Sequence, residues 1–514
     1  MSTPPSADPQ VAATRPQHPQ ATSLSALAGD LGAALVGDAA TSVTGISLSG
    51  QRILPGDLYA ALPGSRVHGI EYAAQAVAAG AVAILTDAQG ARRAGMSTLT
   101  AGVPMLLTDD PRRLLGRLAA DIYGDPAAAM RMIGVTGTQG KTTTTRLLVG
   151  GLEASGVTAG VIGTVGTRIA GQDVKTALTT PEAPDLHGLF ALMREQRVEV
   201  CAMEVSSHAL VMGRVDGVVF DVAVFLNLGR DHLDFHADLE DYYQAKASLF
   251  TPERARLALI CVDDDHGRRL ATETSLPVQT FSARGAAADW TATDLALGPA
   301  GSDFTLHGPG VELRVRVPLP GDFNVSNALA ALAAAGEAGL DVPAIARGLA
   351  AGGGVPGRLE RIDQGQEFTV VVDYAHKPDA VEAALRTLRP LVAEPGGRLV
   401  VVLGAGGDRD HGKRPIMGEI AARLADVLVV TNDNPRSEDP AAIRAAILAG
   451  TTQGSAEVIE IGDRRAAIGE AVRRARPGDI VLVAGKGHES GQEIAGTVHP
   501  FDDRDVVREA LLTR

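Results

Sequence analysis

The feature that most restricts how this chain can fold is Gly137-Thr138-Gln139-Gly140-Lys141-Thr142-Thr143, directly after the apolar run Met132-Ile133-Gly134-Val135. An apolar strand that enters a glycine-rich turn and then a helix makes a phosphate cradle. The glycines let backbone N–H groups turn toward an anion, Lys141 supplies a mobile positive charge, and the Thr142 hydroxyl is placed to reach a phosphate-bound Mg²⁺. Val135 stands where G-x-x-x-x-G-K-[ST] has its first glycine, so the match is to the shorter G-x-x-G-K-T. The competing reading is an ordinary glycine-rich strand–helix turn. The Lys-Thr-Thr run and the helix-length segment after it weigh against that. The pattern predicts a protein that handles a nucleoside triphosphate.

At 514 residues the chain exceeds a single core, and three domains are expected. Hydrophobic residues at 45% and charged residues at 21% predict a globular, soluble chain. Aromatics at 3% and a net charge of -14 argue against nucleic acid as a partner, since base stacking and polyanion attraction both lack their means. Cys201 and Cys261 lie in apolar runs and read as small core residues. No apolar run is long enough to span a bilayer. Residues 1–22, rich in Pro, Ala, Gln and Thr, read as a disordered tail in a cytoplasmic protein.

The expected fold class is α/β in three domains. Residues 23–130 read as a small N-terminal α/β domain. Residues 131–355 alternate strands (Met132–Val135, Ala159–Ile162, Val200–Met203, Val218–Phe225, Leu257–Val262) with helices, which predicts a central P-loop ATPase-like parallel sheet. The stretch Gly352–Gly357 reads as a linker into a C-terminal Rossmann-like α/β domain over 356–514. The polar motifs fall just past strand C-termini, where open parallel sheets bind ligands.

Several of these motifs carry chemistry. Glu204 follows the strand Val200–Met203 and suits Mg²⁺, which prefers hard oxygen donors; the alternative is a solvated carboxylate beside a helix capped by Ser206. In Asn227–His236, His232 and His236 have i,i+4 spacing, but no H-E-x-x-H pattern supports zinc, and a phosphate or Mg²⁺ loop fits better. Lys246 lies in an amphipathic helical run. It is either a solvated helix lysine or, at the end of a buried face, a chemical group. Arg358 and Asp373 open the third domain and are suited to meeting a nucleotide. Gly404–Arg409 resembles a dinucleotide fingerprint but fails its last position. Asp433-Asn434-Pro435-Arg436 offers a bidentate carboxylate partner, and Gly485–Glu489 offers an acid for an ammonium. Together they suit an amino acid, unless they are two unrelated surface loops.

Taken with Thr179-Thr180-Pro181, Asn324-Val325-Ser326-Asn327 and Gly406–Pro415, these segments resemble the Mur ligases of peptidoglycan synthesis, from about residue 25 to the C-terminus. The resemblance is to the branch that adds the third residue of the stem peptide. It implies ATP-dependent joining of meso-2,6-diaminopimelate to UDP-N-acetylmuramoyl-L-alanyl-D-glutamate through an acyl phosphate, by a monomer acting on small molecules. By that resemblance Gly137, Thr138, Gln139, Gly140, Lys141, Thr142 and Thr143 bind ATP together with Asn324, Arg358 and Asp373. Thr142, Glu204, His232 and Lys246 hold Mg²⁺, with Lys246 modified by CO₂ to a carbamate, and Lys141, Glu204, His232 and Lys246 form the catalytic set. Ser49, Thr179, Thr180, Ser206 and Arg214 hold the UDP-muramoyl dipeptide. Arg409, Asp433, Asn434, Pro435, Arg436, Gly485 and Glu489 hold the diamino acid. Lysine lacks the distal carboxylate and would leave Arg436 buried and unpaired, at a cost of about 3 kcal/mol or more, enough for strong discrimination.

Some positions depart from the family pattern. Ser49-Gly50-Gln51 stands where Asp-Ser-Arg is usual, Cys261 where Asn is common, and Ala405 where Cys is frequent. A sister ligase such as a folylpolyglutamate synthase is disfavoured by the Arg436 motif and the N-terminal domain. A nucleotide-dependent switch would bind or turn over ATP without consuming an amino acid, and a GTP switch would want N-K-x-D, which Thr431–Asn434 lacks.

Overall fold

The computed structural model describes residues 9–94, 100, 102–176, 178–352, 354–393 and 395–514. Two compact units emerge: Met1–Trp290 with Ala330–Ile345, and Thr291–Leu329 with Ala346–Arg514.

The first unit contains two sheets. The smaller runs in the order Ala34–Val36, Met105–Leu107, Ala83–Thr86, Asp57–Ala60, Gly45–Ser47, parallel except at its first pair. One face packs Leu58, Leu85 and Leu106 against the helix Pro111–Ile122, which starts at an Asp110 cap with proline at its first position. The disordered tail expected over 1–22 needs correction. Residues 1–8 lie outside the described residues, but Pro9–Ala12 is helical and Thr22–Ser23 pairs with Ser42–Val43. Between them Arg15 is buried: it donates to Ile46 O at 2.6 Å and to the Tyr123 hydroxyl, and lies 3.6 Å from Asp57. Composition misled here because the partners that satisfy Arg15 are remote in sequence.

The larger sheet of this unit runs Gln172–Val174, Thr167–Ile169, Ala159–Ile162, Val200–Glu204, Arg131–Thr136, Val222–Phe225, Ala258–Cys261, Val278–Ser282. From Ala159–Ile162 onward the pairs are parallel. Its central strands are buried on both faces, which explains their largely apolar sequences. The expected strand Val218–Phe225 shortens to Val222–Phe225, because Val218 N–H closes a turn onto Val215 O at 3.1 Å. Gly134 faces the Phe220 ring, and a Cβ there would sit 2.8 Å from it. Cys201 and Cys261 are buried free thiols.

In the second unit the sheet order is Glu360–Ile362, Thr369–Asp373, Ile480–Ala484, Leu399–Leu403, Val427–Val430, Glu457–Glu460, parallel after its first pair. An antiparallel ribbon of Trp290–Gly298, Gly301–Gly308 and Val311–Val317 precedes it in the chain. The segment expected as a linker falls in this unit; Gly353 lies outside the described residues, and Val355 is fully buried. Among the described residues no helix is long and apolar enough to cross a membrane.

One buried group makes a pH prediction for the first unit. His187 is fully buried on the helix Ala183–Glu195, edge-on to Phe190, with Nε2 3.1 Å from Asp216 O. Burial pushes its pKa down to about 4. The unfolded chain therefore binds a proton near pH 6.5 that the folded chain refuses until about pH 4, so native stability falls as pH drops through that window. The full effect is about 3 kcal/mol. In urea melts at pH 7 and pH 4.5, His187→Phe is expected to show a clearly smaller loss of stability than the wild type.

Candidate active site

Three neighbouring parallel strands, Val200–Glu204, Arg131–Thr136 and Val222–Phe225, end on one edge of the larger sheet of the first unit. Their tips deliver the glycine-rich turn from the middle strand, Glu204 from one side and Asn227 from the other. Gly137 and Gly140 adopt φ of 152° and 90°. A Cβ at Gly137 would meet Leu226 Cβ at 2.9 Å, so the turn needs glycine for space as well as conformation. Asn227 clamps the turn: its Oδ1 accepts Gln139 N–H at 3.0 Å, its Nδ2 donates to Gln139 O at 3.1 Å, and its carbonyl accepts Thr138 N–H at 3.0 Å.

Lys141, Thr142 and Thr143 open the helix Lys141–Ala154. Its cap is Gly140, which has no side chain to satisfy the first N–H groups, so the helix end suits an anion. Lys141 Nζ donates to Gly137 O at 2.7 Å and to Thr138 O at 3.2 Å.

Lys246 reaches the same place from the helix Leu239–Ala247, which Asp238 caps. The solvated reading fails, for this side chain is 1% exposed. Its Nζ donates to Gly137 O at 2.9 Å and lies 4.5 Å from the Tyr242 ring centroid. Burial, reinforced by the nearby Lys141 charge, holds its pKa well below the ordinary lysine range.

Glu204 is buried rather than solvated. Its carboxylate accepts Thr164 N–H at 2.8 Å and the Thr164 hydroxyl at 3.0 Å. Gly163 makes room for it, since a Cβ there would lie 2.2 Å from Glu204 Oε1. The Thr164 hydroxyl stands 3.2 Å from that of Thr179, and Thr180 Oγ1 donates to Glu204 O at 2.8 Å. Ser206 caps the helix Ser207–Val211, the part of the alternative reading that holds. Arg214 pairs with Glu182 at 2.8 Å and reaches Thr180 O at 3.4 Å. Thr179, Thr180, Ser206 and Arg214 thus form one cluster with Glu204. Ser49 is not part of it; it caps the short turn Gly50–Arg52 beside the smaller sheet.

His232 adopts φ 54°, with its ring edge-on to His208 at 4.9 Å and its Nε2 3.5 Å from Asp231. Both nitrogens of His236 are engaged, Nδ1 with Asp241 at 3.0 Å and Nε2 with Ser207 at 2.9 Å, which makes it a brace of the loop. Among the described residues no group of three or more His, Cys, Asp or Glu is arranged to hold a metal. The Thr142 hydroxyl and the Glu204 carboxylate are still donors of the type Mg²⁺ prefers. An ion with few protein ligands is what Mg²⁺ takes when phosphates and waters complete its shell, so these residues fit it.

In the second unit the two amino-acid motifs, open to being unrelated loops, are joined. Asn434 Nδ2 donates to Glu489 Oε2 at 2.9 Å, and the fully buried Lys486 donates to Asn434 Oδ1 at 3.0 Å and Glu489 at 3.1 Å. Gly485, at φ 121°, leaves room for Asp433, whose Oδ2 would lie 2.5 Å from a Cβ there. Beneath them Arg464 makes a two-point pair with Asp503 and donates to Ala484 O at 3.0 Å. Arg436, at φ 53°, donates Nη1 to Gly407 O at 2.6 Å and sets Nε 3.3 Å from Glu493. It is therefore not left unpaired when no second carboxylate arrives, and the expected cost of about 3 kcal/mol for such an orphan does not apply. Arg409 is exposed. Asn324 is buried and donates to Pro320 O; Arg358 lies over the Tyr374 ring at 4.9 Å. Asp373 accepts Leu359 N–H at 2.7 Å, and burial raises its pKa despite the opposing charge of Arg358.

Sequence reasoning missed Thr164, Lys486 and the clamping role of Asn227. The last two sit inside recognised motifs and could have been weighed singly. Thr164 lies in no motif.

Three family models match: "Mur ligase family, catalytic domain" over residues 42–123, "Mur ligase middle domain" over 135–335 and "Mur ligase, glutamate ligase domain" over 357–487. A protein of Streptomyces avermitilis named UDP-N-acetylmuramoyl-L-alanyl-D-glutamate–2,6-diaminopimelate ligase is 55% identical, covering 97% of this chain and 98% of the relative. One of the same name from Corynebacterium glutamicum is 52% identical over 88% of this chain and 89% of its own. A solved structure described by that name superposes with a TM-score of 0.68 at 33% identity, covering 96% of this chain and 99% of that one. With the strand-tip phosphate turn, the buried Lys246 and this full-length agreement, the chain belongs to the Mur ligase family.

Proposed function

We propose that this protein is the ATP-dependent ligase that adds meso-2,6-diaminopimelate to UDP-N-acetylmuramoyl-L-alanyl-D-glutamate, acting as a cytoplasmic monomer. The observation that carries the reading is the 55% identity, over 97% of the chain, to a relative named for that reaction. The Arg436 cluster and the phosphate turn supply matching chemistry.

On this reading the D-glutamyl carboxylate attacks the γ-phosphorus of ATP, ADP leaves, and an acyl phosphate forms. The amine of the diamino acid then attacks the acyl carbon, and phosphate departs from the tetrahedral intermediate. The physical obstacle is the meeting of two anions. Lys141 and the N–H groups of Gly137–Thr143 lower it by holding the triphosphate against positive charge before the reaction begins. Mg²⁺, held by Thr142, Glu204, His232 and carbamylated Lys246, would neutralise further phosphate charge. Thr179, Thr180, Ser206 and Arg214, with Ser49, orient the dipeptide substrate. The nucleotide roles of Asn324, Arg358 and Asp373, and the diamino-acid roles of Arg409, Asp433, Asn434, Pro435, Arg436, Gly485 and Glu489, belong to the same proposal.

The low pKa of Lys246 supports its modification. A neutral amine attacks CO₂, forms an N–C bond and releases one proton, giving a carbamate that turns a cation into an oxygen donor. Because only the unprotonated amine reacts, occupancy falls as pH falls. Enzyme in CO₂-depleted buffer is expected to lose activity, more so as the pH is lowered, and to regain it on addition of bicarbonate. Carbon-labelled bicarbonate should give a carbamate NMR signal that Lys246→Ala abolishes, and a Lys246→Ala enzyme with normal turnover would refute the role.

Phosphate release measured with the UDP-muramoyl dipeptide should favour meso-diaminopimelate over L-lysine by about tenfold or more, the worth of one charged hydrogen-bond contact of about 1.5–3 kcal/mol. Arg436→Lys should shrink that preference, and equal use of both amino acids by the wild type would refute the specificity. Gly163→Ala should push the Glu204 carboxylate aside and cut kcat by about tenfold or more with a raised Mg²⁺ requirement; unchanged Mg²⁺ dependence would count against Glu204 as a ligand.

A further inference from the structure

The strands Gly491–Ile494 and Thr497–Pro500 form a hairpin fastened to the Asp433–Arg436 loop. Gln492 Nε2 donates to Asp433 O at 2.7 Å, and Glu493 N–H donates to Asn434 Oδ1 at 3.0 Å. Arg436 N–H donates to Glu493 O at 3.1 Å, and Ala495 N–H returns to Arg436 O at 2.7 Å. Lys486 adds a bond to Gly491 O at 2.6 Å. These bonds fix the backbone on both sides of Glu493.

The side chain of Glu493 is outside that framework. Its carboxylate is 3.3 Å from Arg436 Nε and 39% exposed. Arg436 is aimed from its other arm, by Nη1 on Gly407 O. An arginine grips a carboxylate at two points along an edge of its planar fork, and one such edge includes Nε. Glu493 stands on that edge as an anion, so a second carboxylate arriving there meets like charge.

We propose that Glu493 is a built-in competitor for the diamino acid's distal carboxylate: it holds the Nε edge of Arg436 and must swing toward solvent before the substrate can take that edge. The inference rests on the reading of Arg436 as the carboxylate partner. The moving part is one side chain, since the hairpin backbone is tied down. A half-exposed ion pair is weak and exchangeable, which suits a group that yields to substrate. The device keeps the guanidinium paired while a ligand without the second carboxylate occupies the site, and it takes a share of the affinity for the proper one.

The test is steady-state kinetics of Glu493→Gln and Glu493→Ala, with KM measured separately for meso-diaminopimelate and for ATP. Removal of the competing charge should lower the KM for meso-diaminopimelate by about two- to fivefold, the range that such a pair supports. The KM for ATP and the weak use of L-lysine should not follow it. In an Arg436→Met background the same Glu493→Gln change should have no effect on that KM. If Glu493 instead orients Arg436, the KM for meso-diaminopimelate will rise; a rise or no change, in a Glu493→Gln protein that melts like the wild type, overturns the proposal. Failure of the wild type to use meso-diaminopimelate would overturn the functional reading beneath it, a result visible before any variant is made.

Discussion

One carbonyl oxygen organises the phosphate turn. Gly137 O accepts both Lys141 Nζ and Lys246 Nζ, which puts the two nitrogens less than about 6 Å apart. Two full charges at that separation repel by about 3 kcal/mol at an intermediate dielectric. Lys246 is the buried partner, and burial beside the Lys141 charge holds its pKa well below the ordinary lysine range. That electrostatic setting is the one on which the proposed carbamate at Lys246 rests. The position of that carbonyl depends in turn on Gly137, whose φ and close contact with Leu226 exclude any side chain, and on Asn227, which ties the following residues from the neighbouring strand.

The second unit solves a related problem with a different division of labour. Its amino-acid loops are held from below by buried charges, Lys486 on Asn434 and Glu489, and Arg464 on Asp503 and Ala484 O. Buried ion pairs contribute little net stability because desolvation offsets their attraction, but each leaves few alternative arrangements open. The backbone of the loops is thereby tied down, while the side chains of Arg436 and Glu493 remain partly exposed.

Much of this was legible in the chain. Short apolar runs such as Met132–Val135 and Leu399–Leu403, alternating with helix-length segments, read as strands covered on both faces of a parallel sheet. Candidate ligand positions at strand tips follow from that topology, so Lys141, Glu204 and Arg436 could be put forward before any coordinates. Residues 9–22 could not be read in the same way, since nothing local marks Arg15 as buried; Asp57 and Tyr123 make it so.

The sequence by itself determined the strand–turn–helix of the phosphate cradle, because glycine placement and apolar periodicity are local properties that act wherever the chain goes. Only the tertiary structure decided what each charged side chain faces. Lys246 stays open between a solvated lysine and a buried group until the sheet sets it against Gly137, Thr164 has no signature until it meets Glu204, and Glu493 is an ordinary hairpin acid until the fold lays it on Arg436. Electrostatic state depends on distance and burial, and both are fixed by contacts between residues far apart in the chain.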